Sequence, residues 1–151
     1  MVLIHYLRVY FRNRRSCCIH AAFAIVLSGL IQPVSSKAAP QLSCEVSQGG
    51  ETRVLEFSSV SNPYAVKAQD INRRFRFKAV MVGNGQTVDY INLYIYYLSS
   101  GQAVLLYQTK FLSPVPQKKA MPYALTGYHY VYSPVLGREM QFGCALTETD
   151  S

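Results

Sequence analysis

The chain has no tryptophan, so the buried Trp that anchors immunoglobulin domains is missing, and any sandwich built here packs its core another way. Histidine is scarce, at three residues, and acidic residues number eight. Only His129 lies beyond the first forty residues, which leaves little material for zinc ligation or histidine catalysis. There is no G-x-S-x-G elbow, phosphate loop, C-x-x-C pair or calcium-loop pattern. No N-x-[ST] sequon occurs, so N-glycosylation is excluded. Beyond residue 40 no segment repeats its apolar residues at helical spacing. What remains is rich in tyrosine, with twelve.

Charge is unevenly distributed. Arg8, Arg12, Arg14 and Arg15 precede the uncharged stretch "CCIHAAFAIVLSGLI" (17–31), which is followed by "QPVSSKAAP". A basic segment, about fifteen largely apolar residues and a small-residue site form the layout of a secretory signal peptide. The apolar run is short for a membrane span, which needs about 20 residues. Ser36 and Ala38 occupy the third and first places before a cut after Ala38, so the expected organisation is a signal peptide over 1–38 and a single domain over 39–151. An uncleaved anchor and a twin-arginine route through Arg14-Arg15 are the alternatives. All three leave the domain outside the cytoplasm, periplasmic or secreted, with membrane contact only through an uncleaved leader.

Cleavage would remove five of the fifteen basic residues and none of the acidic ones, leaving ten against eight and a net charge of +2. The formal +7 of the whole chain therefore does not argue for nucleic acid. Of four cysteines, Cys17 and Cys18 fall in the leader. Cys44 and Cys144 remain, and in an oxidising compartment their one intramolecular pairing is the expected disulfide.

The rest reads as about seven short strands: 42–47, 52–59, 73–82, 88–98, 102–112, 126–133 and 138–147. Gln48-Gly49-Gly50-Glu51 makes a hairpin turn, Pro63 keeps 61–72 as a loop, and 113–124 is a proline-rich connection. Short strands at this spacing predict an all-β fold, an antiparallel sandwich or small barrel.

The stretch "DYINLYIYY" (89–97) carries two faces, because side chains alternate along a strand. Ile91, Leu93 and Ile95 form a core stripe, and Tyr90, Asn92, Tyr94 and Tyr96 point the other way. A three-residue Ser99-Ser100-Gly101 loop would set Leu98 opposite Gln102, Tyr94 opposite Leu106 and Tyr90 opposite Lys110. At the preceding turn a two-residue Asn84-Gly85 loop would drive Arg74, Arg76 and Lys78 against the aliphatic face. A three-residue loop, Asn84-Gly85-Gln86, instead sets Phe77 opposite Leu93, Phe75 opposite Ile95, Arg76 opposite Tyr94 and Arg74 opposite Tyr96. In that register Arg74, Arg76, Lys78, Tyr90, Tyr94, Tyr96 and Lys110 share an outer face. They either stiffen the sheet by cation–π contact or bind an anionic or glycan-like ligand, since tyrosine and arginine supply flat apolar area and fixed donors. Tyr128, Tyr130 and Tyr132 form a further set that could extend either face.

The functional expectation is a small exported, non-catalytic domain that binds a protein or an envelope component such as a glycan, with no cofactor, no metal and no nucleic acid. His129, alternating with Tyr128 and Tyr130, reads as a packed or hydrogen-bonded residue, and no spacing among the carboxylates argues for glycosidase chemistry. The placement of "LSCEV" early and "FGCAL" late in the mature chain is similar to the layout of small disulfide-closed periplasmic lysozyme inhibitors. That resemblance implies inhibition of a cell-wall hydrolase as an alternative function. A surface-fibre subunit is another, and would need a sheet open to strand donation.

Overall fold

The computed structural model describes residues 38–149 apart from Ala120 and Val135. These lie in one compact unit, Ser36–Ser151. The expected signal peptide and its cleavage site fall essentially outside the described residues.

Alternation of apolar and polar residues produces eight strands: β1 (Ala39–Gln48), β2 (Glu51–Ser58), β3 (Gln69–Ile71), β4 (Phe75–Gly83), β5 (Val88–Ser99), β6 (Gln102–Leu112), β7 (Tyr128–Tyr132) and β8 (Glu139–Thr149). They form two antiparallel four-stranded sheets packed as a β-sandwich. One, the terminal sheet, has the order β2-β1-β8-β7 and pairs the first strand with the last. The other, the meander sheet, has the order β3-β4-β5-β6. The strand not foreseen is β3. It spans three residues, too few for alternation to register, and pairs with the outer edge of β4 after the Pro63–Ala65 turn.

The core lies between the sheets. Leu42, Cys44, Val46, Met140, Phe142 and Leu146 of the terminal sheet face Phe75, Phe77, Met81, Ile91, Leu93 and Ile95 of the meander sheet, all buried. Phe142 is its hub: it meets Phe77 edge-on at 5.7 Å, Tyr107 at 5.4 Å and the His129 ring, stacked, at 5.1 Å. His129 also bonds the Thr126 carbonyl through Nε2 at 2.7 Å, so it is both packed and hydrogen-bonded. Cys44 and Cys144 stand directly opposite each other on β1 and β8 and are joined by a disulfide.

The long connection 113–127 completes the terminal sheet. β7 covers only the first half of β8. The second half is met by the connection itself: Gln117 N–H donates to Leu146 O, Glu148 N–H to Gln117 O, Leu125 N–H to Cys144 O, and Cys144 N–H to the Thr126 hydroxyl. Buried backbone groups are thus satisfied without another full strand.

Both meander-sheet turns differ from expectation. The β5–β6 loop is the two-residue Ser100-Gly101, both at positive φ, with Ser99 opposite Gln102. This is the backbone of a tight hairpin turn, and Gly101 adopts it without steric cost. The resulting one-residue offset is absorbed by a bulge that leaves Leu106 unpaired between the Tyr96–Leu105 and Ile95–Tyr107 pairs. Tyr94 therefore faces Gln108, and Asn92 faces Lys110. At the β4–β5 end the loop spans four residues, 84–87. It is organised by Asn84, whose Oδ1 accepts from the Gln86 and Thr87 N–H groups and the Thr87 hydroxyl. A second bulge passes over Asp89. The net effect is a register two residues from that expected, with Arg76 opposite Tyr96, Lys78 opposite Tyr94, Phe77 opposite Ile95 and Phe75 opposite Tyr97. An even displacement keeps every side chain on its face.

Candidate functional site

The meander sheet's outer surface holds the cationic and tyrosine ladders together. Phe75, Phe77 and Ala79 turn into the core, which forces Arg76, Lys78 and Val80 outward on β4. On β5 the same logic turns Tyr90, Asn92, Tyr94 and Tyr96 outward. The Tyr94 and Tyr96 rings stack at 6.3 Å with 17° between their planes. Lys110 reaches diagonally from β6 to place its Nζ 4.5 Å from the centre of the Tyr90 ring. Burial, then the neighbouring Tyr94, raises the Tyr96 phenol above its ordinary pKa, so the Tyr96 hydroxyl stays a neutral donor at physiological pH.

Six of the seven residues singled out from the sequence, Arg76, Lys78, Tyr90, Tyr94, Tyr96 and Lys110, share this face. Arg74 is the correction. It sits in the turn between β3 and β4, where its carbonyl accepts from Leu98 N–H at 2.8 Å, so its partner across the ladder is Leu98 and not Tyr96. It stands at the rim because the register places Arg76 where Arg74 was expected.

Two further features mark this face. Among the described residues the one ion pair is Arg53–Glu51, at the far end of β2, so Arg76, Lys78 and Lys110 have no carboxylate partner within salt-bridge range. The nearest acid in register, Asp70 on β3, accepts from Arg73 N–H instead. Beneath the cations, Val80 is buried outside the core cluster, and the Oδ1 of its cross-strand partner Asn92 is buried with no hydrogen-bond partner. Buried acceptors are usually satisfied, and exceptions concentrate where a surface serves a purpose other than stability.

A second tyrosine surface lies on the other side of the sandwich; its Tyr128, Tyr130 and Tyr132 were grouped from the sequence, but the sheet they join and the addition of Tyr123 were not. Tyr128, Tyr130 and Tyr132 project from the outer face of the terminal sheet, joined by Tyr123 from the 113–127 connection. Tyr123 is held at φ 59°, a conformation bulky residues rarely adopt. Its ring lies across Gly143, and its hydroxyl donates to Glu45 at 2.8 Å. This bond, with burial and the Glu45 charge, raises the phenol's pKa. Tyr128 donates to Gln141 at 2.6 Å, and Gln141 donates in turn to Glu139. Hydrogen bonds from Gln141 and Tyr132 hold the Glu139 carboxyl below the ordinary carboxylate range, so the carboxylate is charged throughout the physiological range. Only a loop residue over a glycine completes the cluster, and neither has a periodic signal.

Gly143 makes this arrangement possible. A Cβ there would lie 2.2 Å from the Tyr123 ring. Gly143→Ala is expected to displace the ring and lower stability by about 1–3 kcal/mol, as overpacking does. In the Tyr123→Gly background, which removes the Cβ at 2.9 Å as well as the ring, the same substitution should cost much less, and chemical denaturation of the four proteins measures the coupling. Equal costs in both backgrounds would show that the ring does not occupy the space above Gly143.

Among the described residues no group of three or more His, Cys, Asp or Glu side chains converges to hold a metal. No family model, curated protein or solved structure matches the chain.

Proposed function

We propose that this chain is an exported β-sandwich that binds an anionic, glycan-like component of the cell envelope through the outer face of the meander sheet. The observation that carries the reading is the cluster of Arg76, Lys78 and Lys110, interleaved with Tyr90, Tyr94 and Tyr96, with no carboxylate in salt-bridge range among the described residues. Cations that merely decorate a surface gain little from one another. Three within one sheet face repel, and an anion relieves that repulsion while the stacked tyrosines supply apolar area to sugar rings. Arginine adds a forked donor suited to carboxylate or sulfate.

The buried Cys44–Cys144 bridge is compatible with an oxidising location, and the basic-then-apolar leader supports export to the periplasm or beyond. The reading calls for no catalytic group, and His129 is engaged by Thr126 and Phe142.

The test is an array of neutral, carboxylated and sulfated glycans probed with the wild type, Arg76→Ala and Tyr94→Ala. Arg76→Ala should weaken binding to the acidic glycans by about tenfold, the equivalent of one charge-assisted hydrogen bond of roughly 1.5 kcal/mol. Tyr94→Ala should weaken it about fivefold through lost ring contact, of order 1 kcal/mol. Unchanged binding in both variants would remove the site.

A further inference from the structure

The sandwich segregates its charge by sheet. On the terminal sheet the outward positions alternate with the core residues of β1, β2 and β8. They carry Glu45, Glu56 and Glu139 and no lysine or arginine. Tyr128, Tyr130 and Tyr132 stand beside them on β7, the last two more than half exposed. The outward positions of β4, β5 and β6 carry the opposite sign, Arg76, Lys78 and Lys110, also among tyrosines, and the one acid on the outward side of that sheet's paired strands is Asp70 of β3, opposite Arg76 and bonded to the Arg73 N–H.

We infer that the basic meander face also receives the acidic terminal face of a second copy of this chain, in competition with an anionic glycan. The inference rests on the reading of the meander face as an anion-binding surface and names a partner for it. Charge complementarity is the argument: three cations without carboxylate partners meet three carboxylates whose present partners are neutral. Glu45 accepts from Tyr123, Glu56 from Gln41 at 3.0 Å and Glu139 from Gln141. A carboxylate has about four lone-pair sites, so these bonds leave acceptor capacity for a partner's donors. Exposed tyrosines on both faces supply the amphipathic area typical of protein contacts, and arginine is favoured beside them.

The two faces point away from each other across the sandwich. A contact that joins unlike faces is heterologous, and one made by opposite sides of the same body does not close on itself. Each added copy exposes a new acidic face at one end and a new basic face at the other, giving an open linear assembly. This route needs no strand donation. Because its ion pairs lie near the surface, it is weak and depends on ionic strength.

The experiment is sedimentation velocity of the full-length protein as purified from cells, over a hundredfold range of concentration at low and high salt. The expected result is a weight-average mass that rises with concentration at low salt and returns to the monomer near 0.5 M NaCl. Arg76→Glu/Lys78→Glu and Glu56→Lys/Glu139→Lys should each be monomeric at low salt, because each then presents two faces of like sign. Their equimolar mixture should associate again, since the unaltered acidic face of the first meets the unaltered basic face of the second. Reassociation requires both variants to be folded, so it also excludes loss of assembly through unfolding. A mixture that stays monomeric while both variants keep the wild-type circular dichroism overturns the proposal, as does a wild type that is monomeric throughout. Retention of the same proteins on immobilised heparin reads the anion-binding face separately. Retention lost in Arg76→Glu/Lys78→Glu alongside a monomeric mixture would leave that face standing and remove only the second copy as its occupant.

Discussion

Removing the Cys44–Cys144 bridge should lower the unfolding free energy by about 4 kcal/mol. Two parts of the molecule set this size. The bridge joins residues 100 apart in sequence, and confining a loop of that length removes entropy from the unfolded chain worth about 4.7 kcal/mol in the loop-closure account. It also fastens β1 to β8, so one covalent bond holds both chain ends in the same sheet. Cys44→Ala/Cys144→Ala isolates the effect with little polar burial, since both positions are fully buried in the core. A domain of this size has roughly 5–15 kcal/mol of stability, so the variant should remain folded at 25 °C with a melting temperature lower by about 15 °C. The denaturant slope should rise, because the unbridged chain exposes more surface when it unfolds. Alkylation of both Cys44 and Cys144 in the denatured, unreduced protein, located by peptide mapping, would remove the bridge, and an unchanged melting temperature in the double variant would remove its energetic role.

Phe142→Ala should be comparably damaging, at about 4 kcal/mol. Phe142 is fully buried on β8 and meets Phe77 from the opposite sheet, Tyr107 from the edge of that sheet and His129 from the neighbouring strand. Truncation loses the transfer free energy of the ring, leaves a cavity, and forfeits aromatic contacts worth about 0.5–1.5 kcal/mol each. His129 would lose its stacking partner while its bond to the Thr126 carbonyl stays, so the β7 end should loosen before β1. Hydrogen exchange resolves this: amides of 128–132 should gain more exchange than those of 42–46. Uniform loss of protection would argue that the core is one cooperative unit with no weaker margin. A loss below 1 kcal/mol would argue against Phe142 as the hub.

The sandwich was legible because its strands alternate cleanly. β6 was read with the bounds it has, 102–112, since Ser100-Gly101 and Ser113-Pro114 punctuate it. β3 was missed because three residues after a proline-containing loop give no period. The faces of β4 and β5 were right although the pairs were not. Parity is fixed by burial of Phe75, Phe77, Ile91, Leu93 and Ile95, whereas the pairing within a parity class depends on turn length and bulges. Leu106 and Asp89 take up the extra residues at two bulges, and nothing in their side chains announces this. Arg74 moved to the rim for that reason, while Arg76 and Lys78 kept tyrosine partners. The place of the Tyr128, Tyr130 and Tyr132 set was hidden for a different reason. Which sheet β7 joins is decided by the long crossover 113–127, and Tyr123 is placed by close approach to Gly143, a contact that exists only after β8 has formed.

Segregation of charge follows from the same alternation. Each strand contributes one polar face, and the sandwich turns the polar faces of its two sheets in opposite directions. With Glu45, Glu56 and Glu139 on one sheet and Arg76, Lys78 and Lys110 on the other, the sandwich acquires two different surfaces.

Whether the meander face takes an anionic ligand is read from amide chemical shifts of the isotope-labelled protein during titration with a sulfated polysaccharide. Saturable shifts confined to Arg76, Lys78, Tyr94, Tyr96 and Lys110 with their strand neighbours, weakening steeply as salt rises, are expected. Shifts centred on Tyr128, Tyr130 and Tyr132, or none at all at low salt, would contradict such binding.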